Sequence, residues 1–408
     1  MKGKFLLGMF SGVLMSLMLF GLIACGSSDE NKLSVREQYG TDAGGEILED
    51  LNERKYTDKI ANLLALLDYY YIDELDADAI EEGIYAGLVN SLGDIYTTYY
   101  TAEEFVEFNE SSTGSYAGLG STVTQDANGN ITFVKPFVNG PAHKAGILPG
   151  DILVEIDGES TVDMDLTEAV SKIKGEPGTT VDIKIYRAGE SDYLSMTVER
   201  AFVEVPTVEY QMLDNKIGYI YVMEFDEVTE QQFIDAVDDL EAQGMQGMIV
   251  DLRDNPGGLL STVCGMLSRI VPKGDMLVYM EDKYGRTEEY KSDSAETVDV
   301  PITVLINENS ASASEVFAGA LQDYGIATLV GTQSFGKGIV QSIVPLQDGS
   351  AIKVTVSRYF TPNGVCIHGV GLTPDLEVEL DEELKGQLTI PIEDDNQIQA
   401  AVEYLLDH

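Results

Sequence analysis

The chain has 408 residues, which exceeds the usual size of one domain and predicts two or three folded units. With 25 Lys and Arg against 70 Asp and Glu, its formal net charge is -45, and this acidity disfavours nucleic acid and anionic lipid surfaces as partners. A hydrophobic content of 44% is enough to form real cores.

Residues 1–25 have the layout of a secretory signal. Lys2 and Lys4 precede an apolar run that ends on a small residue before Cys25. The run resembles the bacterial lipoprotein signal, in which a diacylglycerol is attached to the cysteine thiol. This resemblance implies a lipid anchor at Cys25 on the outer face of the bacterial cell membrane, followed by a polar linker over 26–46. An uncleaved transmembrane anchor is the alternative, since about 20 apolar residues can also span a bilayer.

The next region, 47–112, shows helical periodicity and predicts a helical amino-terminal region. Within it, 85–108 is interpreted as two helical pieces broken around Gly93 and Asp94. This stretch has no groups that suggest chemistry.

From 113 to 202 the pattern changes to short strands and turns with one helix. The segments SYAGLGSTV and PAHKAGILPGDILVEIDGE resemble a PDZ domain. In PDZ domains a substrate tail adds as an extra strand, and backbone amides of a glycine loop hold its carboxylate. The resemblance implies that Gly118, Leu119 and Gly120 bind substrate tails.

Strands and helices then alternate, which predicts an α/β core over 203–380. The expected strands are 217–222, 248–251, 302–306, 340–344 and 351–357, and the expected helices are 230–243, 259–270 and 313–324. The carboxyl-terminal tail, 381–408, is expected to contain a helix over 397–406. The whole chain is therefore predicted to be a multidomain α+β protein.

The segment INENSASASEVFAGALQDYG begins as a strand and enters a helix at Ser312, with Glu315 three residues later. This spacing is a plain capping box. A hydroxyl at a helix amino terminus also lies beside free backbone amides and the positive end of the helix dipole, which stabilise an oxyanion. Alone, the motif indicates a helix cap more often than a nucleophile.

A second segment, GTQSFGKGIVQ, contains Lys337 and Gln341. Lysine can act as a base for serine only if burial lowers its pKa, and the apolar residues around Lys337 favour such burial. Gln341 falls on the same side of a strand and could fix the amine by hydrogen bonding. A third segment, GMIVDLRDNPGG, ends in Gly257 and Gly258, which allow backbone amides to face a substrate carbonyl.

In combination, DLRDNPGG, SASASE and FGKGIVQ behind a PDZ domain are similar to the carboxyl-terminal processing (tail-specific) serine proteases. The resemblance implies a core similar to ClpP or crotonase, with no metal and no cofactor. It implies Ser312 as nucleophile, Lys337 as general base and Gln341 as the group that orients the base. It also implies an oxyanion hole formed by the backbone amides of Gly258 and Ala313, and protein or peptide substrates with free carboxyl termini.

Other interpretations are weaker or stay open. GTQSFGK almost matches a phosphate-binding P-loop, but Gly338 stands where Ser or Thr is needed. His368 is interpreted as a loop histidine that could line the substrate channel. A PDZ scaffold without proteolytic activity is the alternative from a different class, and the intact serine, lysine and glutamine argue against it. Whether Cys264 pairs with Cys366, and whether the chain is a homodimer, cannot be derived from the sequence.

Overall fold

The computed structural model describes residues 44–387 and 390–408. The predicted signal, Cys25 and most of the predicted linker lie outside the described residues. The chain forms two compact units, one ending at Glu81 and one running from Glu82 to His408. Within the described ranges, no helix is long and apolar enough to cross a membrane.

The first unit is helical, as predicted. It contains α1 (Gly45–Glu53), α2 (Tyr56–Tyr70) and the start of α3 (Ala77–Asn90), which continues into the second unit.

The second unit begins with a departure from the predicted pair of helical pieces. After α3 the chain forms a short strand, β1 (Thr98–Tyr100), and only then the helix α4 (Ala102–Thr113). Thr101 caps α4 by accepting a hydrogen bond from the amide of Glu104, whose carboxylate accepts one from the amide of Thr101. The strand forms because residues 351–353 offer it an antiparallel partner, which local sequence cannot reveal.

The predicted PDZ region is β-rich, with α4 leading directly into it. Its elements are β2 (Ser115–Gly118), β3 (Ser121–Gln125), β4 (Ile131–Pro136), α5 (Pro141–Lys144), β5 (Ile152–Ile156), β6 (Glu159–Ser160), α6 (Leu166–Ile173), β7 (Thr180–Tyr186), β8 (Leu194–Glu199) and β9 (Ala201–Glu204). The main sheet has the order β3-β4-β5-β7-β8, so β3 lies at an edge. The strands β2 and β9 pair with each other as a ribbon at the entry and exit of the region.

The remaining chain forms the predicted α/β core. Its elements are β10 (Val208–Met212), β11 (Ile217–Val222), α7 (Thr229–Ala242), β12 (Gly247–Asp251), α8 (Leu260–Ser268), β13 (Met276–Asp282), β14 (Thr287–Lys291), β15 (Ile302–Ile306), α9 (Ala313–Asp323), β16 (Ala327–Gly331), β17 (Ile339–Pro345), β18 (Ala351–Phe360), β19 (Leu376–Glu377) and α10 (Asn396–Asp407). A six-stranded sheet has the order β10-β11-β12-β15-β16-β19 and is parallel from β11 onward.

Both faces of this sheet are covered. Apolar residues of α7, α8 and α9, including Phe233, Val263 and Phe317, pack in one core, and Ile398 and Leu405 of α10 pack in another. Every residue of β12 and β15 is therefore buried, which explains their largely apolar sequences. Because β12 and β15 are parallel neighbours, the loops that follow them meet at one edge of the sheet.

A second sheet has the order β1-β18-β13-β14, with β17 also paired to β18. The strands β13 and β14 were not predicted; both are partly exposed, β13 pairs with the distant β18, and β14 pairs with β13. In this sheet β18 lies between β17, the strand that follows Lys337, and β1 of the amino-terminal segment, since residues 351–353 pair with both.

Candidate active site

The two loops that meet at the sheet edge are DNPGG, after β12, and NENSAS, after β15. The contact between them is so close that a Cβ atom added at Gly257 would lie 2.8 Å from both the carbonyl oxygen of Ala311 and Cβ of Ser312. Only glycine allows this approach. The fold thus brings the predicted oxyanion loop directly against the predicted nucleophile.

The backbone at Ser312 is in an unusual conformation, with φ 56° and ψ -114° at the entrance to α9. A residue with a side chain adopts such a conformation at a cost of about 1 to 3 kcal/mol, and it persists only where neighbouring groups enforce it. The amide of Ser312 donates a 2.9 Å hydrogen bond to Oε2 of Glu315. Its carbonyl accepts hydrogen bonds from the amides of Glu315 and Val316 in the first turn of the helix.

The predicted oxyanion donors lie on either side of this contact. The amides of Gly258 and Ala313 donate no hydrogen bond to any described residue. Two hydrogen bonds with Phe225 fix the backbone of the glycine loop. The amide of Phe225 donates to the carbonyl of Gly257 at 3.0 Å, and the carbonyl of Phe225 accepts from the amide of Leu259 at 2.7 Å. Both amides are therefore available to a bound carbonyl oxygen.

Glu315 is fully buried and joins the two segments that carry the predicted nucleophile and base. Its Oε2 accepts hydrogen bonds from the amides of Ser312 and Lys337 at 2.9 and 2.8 Å. Its Oε1 accepts the hydroxyl of Ser334 at 2.5 Å and the amide of Gly336 at 2.8 Å. All four partners are donors, so they are matched to the lone pairs of an ionised carboxylate. The residue predicted only as a helix cap thus positions both the serine and the lysine segments.

Tyr359 of β18 provides a second link between the same two segments. Its buried hydroxyl lies 2.8 Å from the carbonyl oxygen of Ser312 and 2.6 Å from that of Lys337, so its single proton is shared between two acceptors. Burial raises the pKa of Tyr359 well above its usual value, which keeps the proton on the phenol.

The side chain of Lys337 is half-buried, and its Nζ lies 4.7 Å from the ring centroid of Tyr96. No hydrogen bond joins this amine to Ser312 Oγ in the described part of the chain. Burial and the nearby charge of Lys353 lower the pKa of Lys337, while the carboxylates of Asp94 and Glu315 act in the opposite direction. The lowering has the direction that a lysine base requires.

Gln341 lies near the start of β17, next to an irregularity in its pairing with β18 between Val340 and Gln341. Its side-chain Nε2 is buried and has no hydrogen-bond partner within 44–387 and 390–408. The structure therefore places the amide in the interior without bonding it to Lys337. Its role in orienting the lysine stays a prediction.

The stem of the DNPGG loop is fixed by a buried arginine. The guanidinium of Arg253 pairs with Asp251 at 2.6 Å and with Asp395 at 2.9 Å. Asp395 in turn caps α10 by accepting hydrogen bonds from the amides of Gln397 and Ile398. The carboxyl-terminal helix thereby supports the oxyanion loop.

Sequence reasoning missed the contribution of the segment before β1, where it expected no chemistry. Tyr96 lies against the amine of Lys337, and Asp94 affects the pKa of that amine. Asp94 is itself held by Thr97, whose hydroxyl donates a 2.7 Å hydrogen bond to it. His368 is exposed, and its backbone lies against Gly338.

The predicted tail-binding residues lie together at the start of the β3 edge strand. Gly118 ends β2, Gly120 has φ 72°, and the side chain of Leu119 is buried in the core of the PDZ region. Because its side chain is buried, Leu119 offers only its backbone for the predicted binding of a tail, and the side chain anchors the loop in the core of the PDZ region.

Two cysteines outside the signal are free in the structure, Cys264 and Cys366, and both are partly buried. Burial raises the pKa of the Cys264 thiol to about 12, which disfavours the nucleophilic thiolate.

Comparison with known proteins agrees with this arrangement. Residues 216–378 match the model of Peptidase family S41, and residues 138–187 match a PDZ domain model. The chain is 37% identical over 318 residues to the carboxy-terminal processing protease CtpA of Bacillus subtilis, an alignment that covers 78% of this chain and 67% of that protein. It is 36% identical over 333 residues to the carboxy-terminal processing protease CtpB of the same organism, covering 81% and 69%.

A solved Bacteroides fragilis structure described as an S41 protease has a related fold, with a TM-score of 0.51 and 16% identity over 83% of this chain and 91% of that one. The chain therefore belongs to peptidase family S41, as a serine peptidase of the carboxy-terminal processing type that carries a PDZ domain.

Proposed function

We propose that this chain is an extracytoplasmic endopeptidase that cleaves proteins near their carboxyl termini with Ser312 as nucleophile and Lys337 as general base. The observation that carries the proposal is the shared acceptor at Glu315. A single carboxylate oxygen holds the amides of both residues, which fixes the two segments side by side.

In the proposed reaction, neutral Lys337 takes the proton of the Ser312 hydroxyl as Oγ attacks the substrate carbonyl. The free amides of Gly258 and Ala313 stabilise the resulting oxyanion. The lysine then protonates the leaving amine, and water releases the acyl group by the same steps.

In this proposal, the position of the Lys337 amine over the ring of Tyr96 is the resting position of the base. Rotation of the flexible lysine side chain toward Ser312 completes the dyad when substrate is bound. The unpaired amide of Gln341 is then available to orient the lysine.

Recognition of the substrate tail is assigned to the PDZ domain. The edge strand β3 is paired only with β4, so its other side is open to an added strand. The helix α6 runs beside it. After the carboxyl end of α6, the amide of Gly175 donates a hydrogen bond to the carbonyl of Ala117, and before its amino end, the carbonyl of Met164 accepts one from the side chain of Gln125. A peptide tail between β3 and α6 would point its carboxylate at the Gly118–Gly120 loop.

The test of tail recognition is cleavage of one peptide with a free or an amidated carboxyl terminus. A charge-assisted hydrogen bond is worth about 1.5 to 3 kcal/mol, so amidation is expected to lower kcat/KM by about one to two orders of magnitude. Equal cleavage of both peptides by the full-length enzyme would show that the PDZ domain does not recognise tails.

The location is proposed from Cys25, which lies outside the described residues. Lipid attachment at this thiol would anchor the enzyme on the outer face of the cell membrane. Cys25→Ser is expected to accumulate as an unprocessed precursor, because serine cannot form the thioether on which processing depends. Equal processing of Cys25→Ser and the wild type would reject the lipoprotein assignment in favour of a different anchor.

A further inference from the structure

The loop assigned to the substrate carboxylate already holds a group of this chain. The amide of Ser121 donates a 3.3 Å hydrogen bond to the hydroxyl oxygen of Tyr116. The ring of Tyr116 lies against Gly118, where an added Cβ would be 2.8 Å from Cε2 of the ring. The phenol oxygen therefore accepts from a backbone amide at the end of the proposed tail-binding groove.

The position of the Ser121 amide shows which site the Tyr116 oxygen occupies. Ser121 is the first residue of β3, whose edge is open to an added strand, and a terminal carboxylate in a PDZ groove is held by the amides of the loop at this end. The oxygen of Tyr116 thus lies where one oxygen of a substrate carboxylate would bind.

The contacts that hold Tyr116 in place are weak enough to be exchanged. Burial raises the pKa of Tyr116, so its oxygen is that of a neutral phenol. The bond from Ser121 is long, at 3.3 Å, and the ammonium of Lys174 lies 5.4 Å from the ring centroid while it pairs with Glu110 at 2.8 Å. A carboxylate accepts a stronger, charge-assisted hydrogen bond from the same amide.

We propose that the Tyr116 hydroxyl is an internal competitor for the carboxylate loop, which a substrate tail must displace in order to bind. This inference rests on the proposed recognition of tails by the PDZ domain. Tyr116 thereby lowers the affinity for free carboxyl termini, because the hydrogen bond from the Ser121 amide to its hydroxyl must break before a carboxylate can accept from that amide.

The test is binding of a fluorescent peptide with an apolar last residue to the full-length chain carrying Ser312→Ala, which prevents cleavage and leaves the PDZ domain unchanged. Tyr116→Phe removes the competing oxygen and keeps the ring. Its affinity for the free-acid peptide is expected to rise about threefold to tenfold, which corresponds to one neutral hydrogen bond. The affinity for the amidated peptide should not change.

Tyr186→Phe is the matched control, since Tyr186 is an exposed tyrosine of the same domain whose ring packs against Tyr193. It should bind both peptides as the parent does. In the active enzyme, Tyr116→Phe should lower KM for the free-acid substrate and leave kcat unchanged, which a general loosening of the domain would not do.

Three results would overturn the inference. In the first, the free-acid peptide binds better than the amidated peptide, but the parent and Tyr116→Phe bind the free-acid peptide equally well. Tail recognition then stands, and the Tyr116 hydroxyl does not compete with the tail. Weaker binding by Tyr116→Phe would mean that the hydroxyl donates to the carboxylate. If neither protein distinguishes acid from amide, the proposed tail recognition fails, and the competitor fails with it.

Discussion

In both the candidate active site and the proposed tail-binding loop, backbone donors hold an oxygen of the chain itself, and the two sites differ in the kind of oxygen. At the active site it is a fully buried carboxylate, Glu315, with four donors at 2.5 to 2.9 Å. At the PDZ loop it is a half-buried neutral phenol, Tyr116, with a bond of 3.3 Å. The buried carboxylate of Glu315 accepts strong hydrogen bonds from all its donors and is suited to hold a site permanently. The neutral, half-buried phenol of Tyr116 accepts a weaker bond, which a substrate carboxylate can replace.

The largest effect on kcat is expected from replacing the carboxylate of Glu315 with a neutral amide. Glu315→Gln turns one carboxylate oxygen into an NH2 group, which faces donors instead of accepting from them. The loss of two charge-assisted bonds, about 3 kcal/mol in all, is expected to lower kcat at least about a hundredfold. Steady-state cleavage of a peptide substrate measures this change.

Glu308→Gln is the matched control, because Glu308 is exposed on the same loop before α9. It should retain wild-type kcat. A Glu315→Gln enzyme with nearly full kcat would mean that the carboxylate caps the helix without positioning the serine and lysine.

A smaller effect is expected from the second link between the catalytic segments. Tyr359→Phe leaves the carbonyls of Ser312 and Lys337 without the shared phenol proton. The loss of about 1 to 2 kcal/mol should lower kcat about fivefold to thirtyfold, with KM little changed. Tyr290→Phe, which removes a hydroxyl bonded only to Glu288 in the described chain, serves as control. A change confined to KM would place the role of Tyr359 in substrate binding.

The smallest expected effect is a shift of the kcat/KM profile along the pH axis, with the maximal rate unchanged. Because kcat/KM rises as Lys337 loses its proton, a change in its pKa moves that rise along the pH axis. Lys353→Gln removes a charge that lowers the pKa, so the rise should move to higher pH. Asp94→Asn removes a charge that raises the pKa, so the rise should move to lower pH.

The opposite directions of these two variants make the test specific. Lys184→Gln in the PDZ domain changes the same charge far from the active site and should leave the profile in place. Movement of both profiles in the same direction would mean that Lys337 is not the group whose titration limits the rate.

Much of the fold followed from local pattern. The central strands β11, β12 and β15 are buried, largely apolar runs, and the helices that cover them have regular periodicity, so these elements could be predicted. The motifs around Ser312, Lys337 and the DNPGG loop were also recognisable, because glycines and small polar residues break the pattern at strand ends.

What could not be predicted depends on contacts between distant segments. Tyr359 lies 47 residues beyond Ser312 and 22 beyond Lys337, on a strand that only pairing places beside them. Tyr96 reaches the lysine because β1 pairs with residues 351–353. The role of Glu315 was hidden for another reason, since its spacing from Ser312 already had a sufficient explanation as a helix cap.

The central claim is that Lys337 activates Ser312, and covalent labelling measures it without dependence on the natural substrate. The rate of reaction of a serine-reactive phosphonate with Ser312 should be determined as a function of pH for the wild type and for Lys337→Arg. Guanidinium does not lose its proton at usable pH, so the variant keeps the charge and cannot act as base. We expect wild-type labelling at Ser312 that accelerates as pH rises, and almost none in the variant at any pH. Labelling of Lys337→Arg at the wild-type rate would contradict the dyad.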